Sequence, residues 1–515
     1  MNFQAHRPPE YTVGDSRLPQ IIEDLNRLLI KSQADLAHDT LRLPKGEFKK
    51  LAHVLVEFAE DIYNDIGLWQ GLERYNRDLF GDPLPLTLSG PDRETQTPSN
   101  EDRLCHLLWV LYAEIEPDLI LAPTHQDLRR LAAVAADFLA GRFAGRPKRS
   151  GVKTFLAQPN KYGWDVKRKL VWLGQHAYLF RYSFQNYVAA HGGKADIPTV
   201  DSFVCQHPTA WSGLGVIDIL AAALPLMEAQ RATLRSWYER HLAYYQVVAA
   251  SRARLKLINI INDEPYEVHL DNRGPLFKAG QLIFGSLVPW NGLWYWSGEQ
   301  AVYDHAPEEA LSQIRQSLPQ TNAAIVYRYD KKRLAGARET VDRLQRLFLD
   351  TYGDDLVTYP DGLSMAAAMQ KMYRLYNERI PEDIRGQLME AEGLESTTPK
   401  MPYPQAIIEH ENGVGVFFTP GEGTEIMLNF NNVLGGFKKR GVDLSEAEAF
   451  AMQAFIESEA ISPQFVQRLV RDYGAESIAA TFLIRQPLGE PDLDYLLRRY
   501  KGHFYRNRYP AVTLV

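Results

Sequence analysis

Between residues 47 and 66 the apolar side chains fall at three- and four-residue steps: Phe48, Leu51, Leu55, Phe58, Ile62 and Ile66. That period puts them on one stripe of a helix and leaves the polar positions to solvent. Leu104, Leu107, Leu108, Leu111 and Ile115 predict a second helix, and Leu128, Leu131, Ala135, Phe138 and Leu139 a third. The third is expected to start at Thr124, because Thr-x-x-Asp has the form of a capping box. A helix rich in aromatic residues is expected from Trp164 to about Val188, and further helices over 213–250. The stretch 81–102, rich in Pro, Gly, Ser and Thr, reads as a long loop.

The period then changes. LKLINIIN, YEVHL, QLIFGSLV and LWYWS lie within 255–304 and are rich in β-branched and aromatic residues. Gly, Pro, Asn and Asp separate them, as between short strands. Asn291-Gly292 joins the last two, and a type I′ turn needs both of these residues at positive φ. Four or five strands here predict a small twisted sheet or barrel. Trp294 and Trp296 share one strand face and are expected in its core. Trp290, beside the turn, is then the ring open to a ligand or partner.

From 305 the pattern alternates. A helix (307–317) precedes a strand, AAIVYRYD (323–330), and helices follow at 332–351 and 363–378. After a linker at 395–405, a second hairpin is expected around Asn412-Gly413, pairing QAIIEH with VGVFF. A strand at 425–430 and short helices over 444–500 complete the chain. The fold class is α+β and multidomain: a helical N-terminal half, a small central barrel-like β module, and a mixed α/β C-terminal region. The expected domains are 1–140, 141–254 (helical, with a basic loop), 255–304, 305–400 and 401–515.

At 515 residues the chain exceeds one hydrophobic core. No run approaches eighteen apolar residues, so no transmembrane helix is expected. The opening residues lack the apolar core of a signal peptide. Cys105 and Cys205 are too few for a disulfide framework. These features predict a cytoplasmic protein with no membrane partner.

The net charge is −7, but it is unevenly spread. Arg142 to Lys169 holds nine Lys/Arg and one acid, Asp165; Arg498 to Arg508 holds five Lys/Arg and none. Rings interleave with both: Phe143, Phe155, Tyr162 and Trp164 in the first, Tyr500, Phe504, Tyr505 and Tyr509 in the second. Cations bind phosphate and rings stack on unpaired bases, so this mixture suits single-stranded nucleic acid. The expected contacts are Arg146, Lys148, Arg149, Lys153, Lys167, Arg168 and Lys169. The second stretch adds Arg498, Arg499, Lys501, Arg506 and Arg508. The competing reading is a solvated face whose rings pack on the protein itself.

Catalytic signals are weaker. Asp263, Glu264, Glu299, Asp304 and His305 would meet at one end of the sheet if the strands pair suitably. Asn-Asp-x-Pro is also ordinary turn chemistry. Cys105-His106 and Cys205-x-His207 make a zinc site only if both pairs converge; Cys105 otherwise reads as a core residue. Ser212 and Ser297 sit in Trp-Ser-Gly turns with no assignable histidine. No phosphate-binding glycine loop is present, and no cofactor is indicated.

INDEPYEVHL followed by FKAGQLIFGSLVPWNGLWYWSGEQ resembles a block of an uncharacterised bacterial family, a domain of unknown function. ENGVGVFFTPGEGTEIMLNFNNVLGGF (411–437) and IGLWQGLERYNRDLFGDPLPL (66–86) are similar to other blocks of that family. The resemblance implies a bacterial, cytoplasmic origin and brings no catalytic residues with it. The function expected is a non-catalytic protein that binds nucleic acid or a ribonucleoprotein. Alternatives are a carboxylate- or metal-dependent hydrolase or nuclease centred on 255–304, and a partner-binding subunit of a larger defensive or regulatory assembly.

Overall fold

The computed structural model describes residues 3–36, 41, 43–88, 96–116, 119–271, 277–304, 307–380, 382, 385–386 and 403–510. His305 and most of the expected 395–405 linker lie outside the described residues. The chain divides into two compact units, Met1–Thr321 with Gly489–Gly502, and Asn322–Leu488 with His503–Val515.

The first unit opens with helices α1 (Leu18–Ser32), α2 (Lys45–Asn64), α3 (Leu68–Phe80), α4 (Asn100–Ile115) and α5 (Gln126–Phe143). There follow α6 (Gly151–Leu156), α7 (Gly163–His176), α8 (Arg181–Ala190), α9 (Ile197–Gln206), α10 (Val216–Ala223) and α11 (Glu228–Arg235). In α2, Phe48, Leu51, Leu55 and Phe58 are buried as their spacing predicts. The opposite face is buried too, which the stripe did not predict: His53, Glu57, Glu60 and Asp61 are all enclosed. Burial of these charges is possible because each carboxylate is partnered. Arg7 Nη1 reaches Glu60 Oε2 at 2.7 Å and Arg7 Nη2 reaches Asp15 Oδ1 at 2.6 Å. Arg181 pairs with Glu57. Asp61 accepts from the backbone N–H groups of Gly67, Leu68 and Trp69 at the start of α3, and from the Tyr178 hydroxyl.

Three local expectations in this unit are corrected. The third helix is capped by His125, whose Nδ1 accepts from the Asp127 N–H at 3.2 Å; Thr124 lies just outside. The helix expected over 164–188 breaks into α7 and α8. The break turns Tyr178 inward to reach Asp61. Residues 241–250, expected to be helical, form the first strand.

Five strands close a barrel: β1 (His241–Ala250), β2 (Arg254–Asn259), β3 (Pro265–His269), β4 (Leu282–Trp290) and β5 (Leu293–Tyr303). The order is β1-β2-β3-β5-β4, with β4 returning to β1. All neighbours are antiparallel except β3 and β5, which meet in parallel at Val268 and Trp294. This is the Greek-key order of the OB-fold. Asn291 (φ 47) and Gly292 (φ 78) make the predicted tight turn. A bulge between Val247 and Ala249 lets β1 bend between its two partners. Ala243, Tyr245, Leu255, Leu257, Tyr266 and Val268 fill the interior, and truncating a ring such as Tyr245 to Ala would cost about 3–5 kcal/mol. After β5, α12 (Glu308–Thr321) covers one barrel end, packing Leu311 and Ile314 on Ile260 and Leu282.

In the second unit, β6 (Leu356–Tyr359), β7 (Val414–Thr419) and β8 (Gly423–Leu428) form an antiparallel sheet in that order. Helices Lys331–Tyr352 and Gly362–Glu378 cover one face through Phe348, Met365, Met369 and Met372. Two expected strands are helical. Ala323–Tyr329 is a helix whose Ile325, Val326 and Tyr329 share a buried face, because a short apolar run suits either period. Gln405–Ile408 is a helical turn, so Asn412-Gly413 joins no hairpin. The partner of β7 on that side is β6, which the sequence reading omitted.

Candidate nucleic-acid interface

The outer face of β4 and β5 rests on the helices of the first unit. Tyr295 of β5 lies against Gly163 at the start of α7, and Ser297 Oγ donates to Asp201 Oδ2 of α9 at 2.8 Å. Lys167 and Arg240 flank the same carboxylate. Burial works against the Asp201 charge, but the two cations outweigh it and hold the carboxyl below its usual range. Lys167 is therefore committed to joining α7, α9 and the barrel.

Three rings meet where α7 begins. Tyr162 stacks on Trp164 with ring centroids 4.8 Å apart. His269 of β3 lies 5.3 Å from Tyr162 at 7° between planes, and 5.2 Å from Trp164. The alternation of β3 turns Tyr266 and Val268 inward and His269 outward. Trp164 is 37% exposed. Burial and the Arg254 charge lower the His269 pKa, with Asp271 opposing, which favours the uncharged imidazole.

Cations lie near these rings along α7 and across the β2–β3 pair. Lys161 Nζ lies 4.9 Å from the Tyr162 ring centroid. Arg168, exposed, follows Trp164 by one helical turn, and its guanidinium lies 5.3 Å over Phe155. Arg254 is the cross-strand neighbour of His269, and Lys256 that of Glu267. Arg254 also pairs with Glu267, so part of its charge is spent locally. Tyr162, Trp164 and Arg168 lie in the basic stretch picked out by composition. His269, Arg254 and Lys256 were missed, although the alternation of LKLIN and YEVHL places them on the outward face.

The other predicted contacts scatter. Lys148 Nζ is 2.5 Å from Asp65 Oδ2, and Lys153 Nζ donates to the Asn64 oxygen at 2.7 Å, so both tie the basic loop to the end of α2. Arg146 is half-buried and Arg149 exposed. Lys169 is fully buried, donating to Gln158 O and Asn160 Oδ1 at 2.5 and 2.6 Å. Arg498 pairs with Asp494 at 2.8 Å. Arg499 is buried, with its guanidinium 4.4 Å over Trp109, and Lys501 is fully buried. Lys169, Arg499 and Lys501 are thus enclosed rather than presented to a polyanion, because each serves internal packing. In the second unit Arg506 is half-buried, and Arg508 pairs with Glu422 at 2.6 Å. Trp290, expected to be open, is also fully buried; its Nε1 donates to Asn160 O at 2.9 Å.

The carboxylates of the β module sit in turns and pairs. Asp263 (φ 59) lies in the β2–β3 turn, its N–H bonded to Asn259 O. Glu264 Oε2 accepts from the Tyr266 hydroxyl at 3.4 Å, Asp304 Oδ1 accepts from Gln281 Nε2 at 2.9 Å, and Glu299 is exposed. Among the described residues no three His, Cys, Asp or Glu side chains are grouped to hold a metal ion. Cys105 and Cys205 are buried free thiols. Burial pushes the first up to about 11 and raises the second, leaving both unreactive. His106 is enclosed by Trp69, Trp109 and Trp211, with Nδ1 2.7 Å from Thr87 Oγ1. No described helix is long and apolar enough to cross a membrane.

Residues 28–203 match a family model described as "Protein of unknown function (DUF3843)". The resemblance to an uncharacterised family holds over this segment, which contains the block at 66–86, the basic loop, Tyr162 and Trp164. The barrel and the block at 411–437 lie beyond the matched residues. No curated protein and no solved structure matches the chain.

Proposed function

We propose that this protein binds single-stranded nucleic acid on the face where the start of α7 meets β2 and β3. The observation that carries the proposal is the half-open ring set of Tyr162, Trp164 and His269, bordered by Lys161, Arg168, Arg254 and Lys256. Trp164, the most exposed of the three, offers a ring face that accepts any base, backed by Tyr162 and His269, and the cations offer phosphate contacts. The barrel order adds support, because the β2–β3 face of OB-folds is a recurrent oligonucleotide surface; that support is analogy. The hydrolase reading has less behind it, since Asp263, Glu264 and Asp304 are engaged separately in turn and pair interactions.

Binding of a labelled oligothymidine by anisotropy tests the proposal. Three or four phosphate contacts predict a slope of log affinity against log salt of about −2 to −3. Reversing Lys161, Arg168 and Lys256 to Glu should abolish binding and leave the melting temperature nearly unchanged. Binding indifferent to both salt and charge reversal overturns it.

A further inference from the structure

Two buried side chains grip one residue of the turn before α7. Asn160 gives its Oδ1 to Lys169 Nζ at 2.6 Å and its backbone oxygen to Trp290 Nε1 at 2.9 Å. Lys169 also donates to Gln158 O at 2.5 Å, and Asn291 Nδ2 donates to Lys161 O at 3.1 Å. Residues 158–161 are therefore held from within α7 on one side and from the tip of the β4–β5 hairpin on the other. They lead directly into Tyr162, which stacks on Trp164 and His269.

A buried ammonium is costly unless its protons find acceptors. Lys169 finds them on the turn, so its charge holds that turn. We propose that Lys169 is a positioning residue for the Tyr162–Trp164–His269 platform, clamping the 158–161 turn so that the rings are preset for a single strand. This rests on the nucleic-acid reading above. Lys169 touches no ligand; it spares the ligand the cost of ordering the turn.

Burial lowers the Lys169 ammonium to about 8, with Asp165 opposing and Arg168 adding to the fall. Those two charges share α7 with it. The turn presents Gln158 and Asn160, uncharged, and Lys161, whose Nζ lies over Tyr162; the hairpin presents Trp290 and Asn291, uncharged. Rising pH removes the charge that strengthens both bonds to the turn, so the clamp slackens.

The test is oligothymidine affinity at about pH 7 and about pH 9 for the full chain and three variants. Wild type should lose affinity several-fold at the higher pH. Lys169→Met should bind about tenfold more weakly at pH 7, the effect of one disordered loop segment, and show no further fall. Asn160→Ala, which removes one of the two acceptors and leaves the lysine and its bond to Gln158 O, should weaken binding less than Lys169→Met and keep a reduced pH effect, and it guards against misfolding of that variant. Lys169→Arg, charged at both pH values, should remove the pH dependence. Lys169→Met and Asn160→Ala binding like wild type, with the pH effect intact, would overturn the clamp while leaving the nucleic-acid reading in place. Absence of wild-type binding at either pH would overturn that reading, and the clamp with it.

Discussion

Gly163 and Tyr295 approach so closely that a Cβ on the glycine would lie 2.6 Å from Tyr295 Cγ. The start of α7 therefore rests on the ring of β5, and this contact sets the height of Trp164 above the barrel. The obstructing atoms are Cβ, Cγ and Cδ2 of a buried tyrosine rather than the far end of a flexible side chain. Gly163→Ala should lose about 1–3 kcal/mol of stability and weaken oligonucleotide binding by tilting Tyr162 and Trp164. Urea denaturation and anisotropy on the same preparation check this; an unchanged midpoint would show that the contact yields freely.

Arg7 is the second point of leverage. It fastens the N-terminal segment to α2 through Asp15 and Glu60, and Ser150 Oγ donates to the same Glu60 at 2.6 Å. Arg7→Ala would leave two buried carboxylates without their cation and should cost about 3–5 kcal/mol. The basic loop shares this anchor, so its proteolysis should accelerate. A melting temperature within a degree of wild type would contradict the assignment.

Acid should destabilise the first unit through its buried histidines. Burial, with Arg499 adding to it, lowers His106 to about 3. Burial, with Arg181 adding to it, lowers His6 to about 3 and His53 to about 4. Below about 6.5 the unfolded chain takes up protons that the folded chain refuses. Stability from this source is whole above about 6.5 and falls until the pH nears the folded values. The raised carboxyls of Asp15, Glu57 and Asp61 act in the opposite sense, since the folded chain takes up those protons first. Comparing wild type with His106→Gln isolates one group. The variant should lose about 2 kcal/mol less than wild type between pH 7 and 5, and equal losses would contradict the account.

Local patterns carried the fold where one segment decides its own structure. The strands of 255–297 alternate, and Asn291-Gly292 supplies the only backbone the hairpin tip accepts, so both were legible. HLAYYQVV was not, because it follows a helical stretch and its partners, β2 and β4, come later in the chain. AAIVYRYD was short enough to satisfy two periods. The site was legible in part: Tyr162, Trp164 and Arg168 are neighbours in sequence, whereas His269 and Arg254 join them only through strand pairing. Trp290 and Lys169 were misread because an exposed-looking ring and a basic residue both find acceptors on one distant or looping segment. No composition rule identifies Asn160 as their common partner.

Stacking of unpaired bases on the rings at the start of α7 is measured most directly through one substitution. Trp164→Ala removes the most open ring and leaves every cation in place. Stacking is worth about 1–3 kcal/mol per base, so oligothymidine affinity should fall roughly 5- to 150-fold, with the salt slope unchanged. Undiminished affinity in that variant would contradict the account.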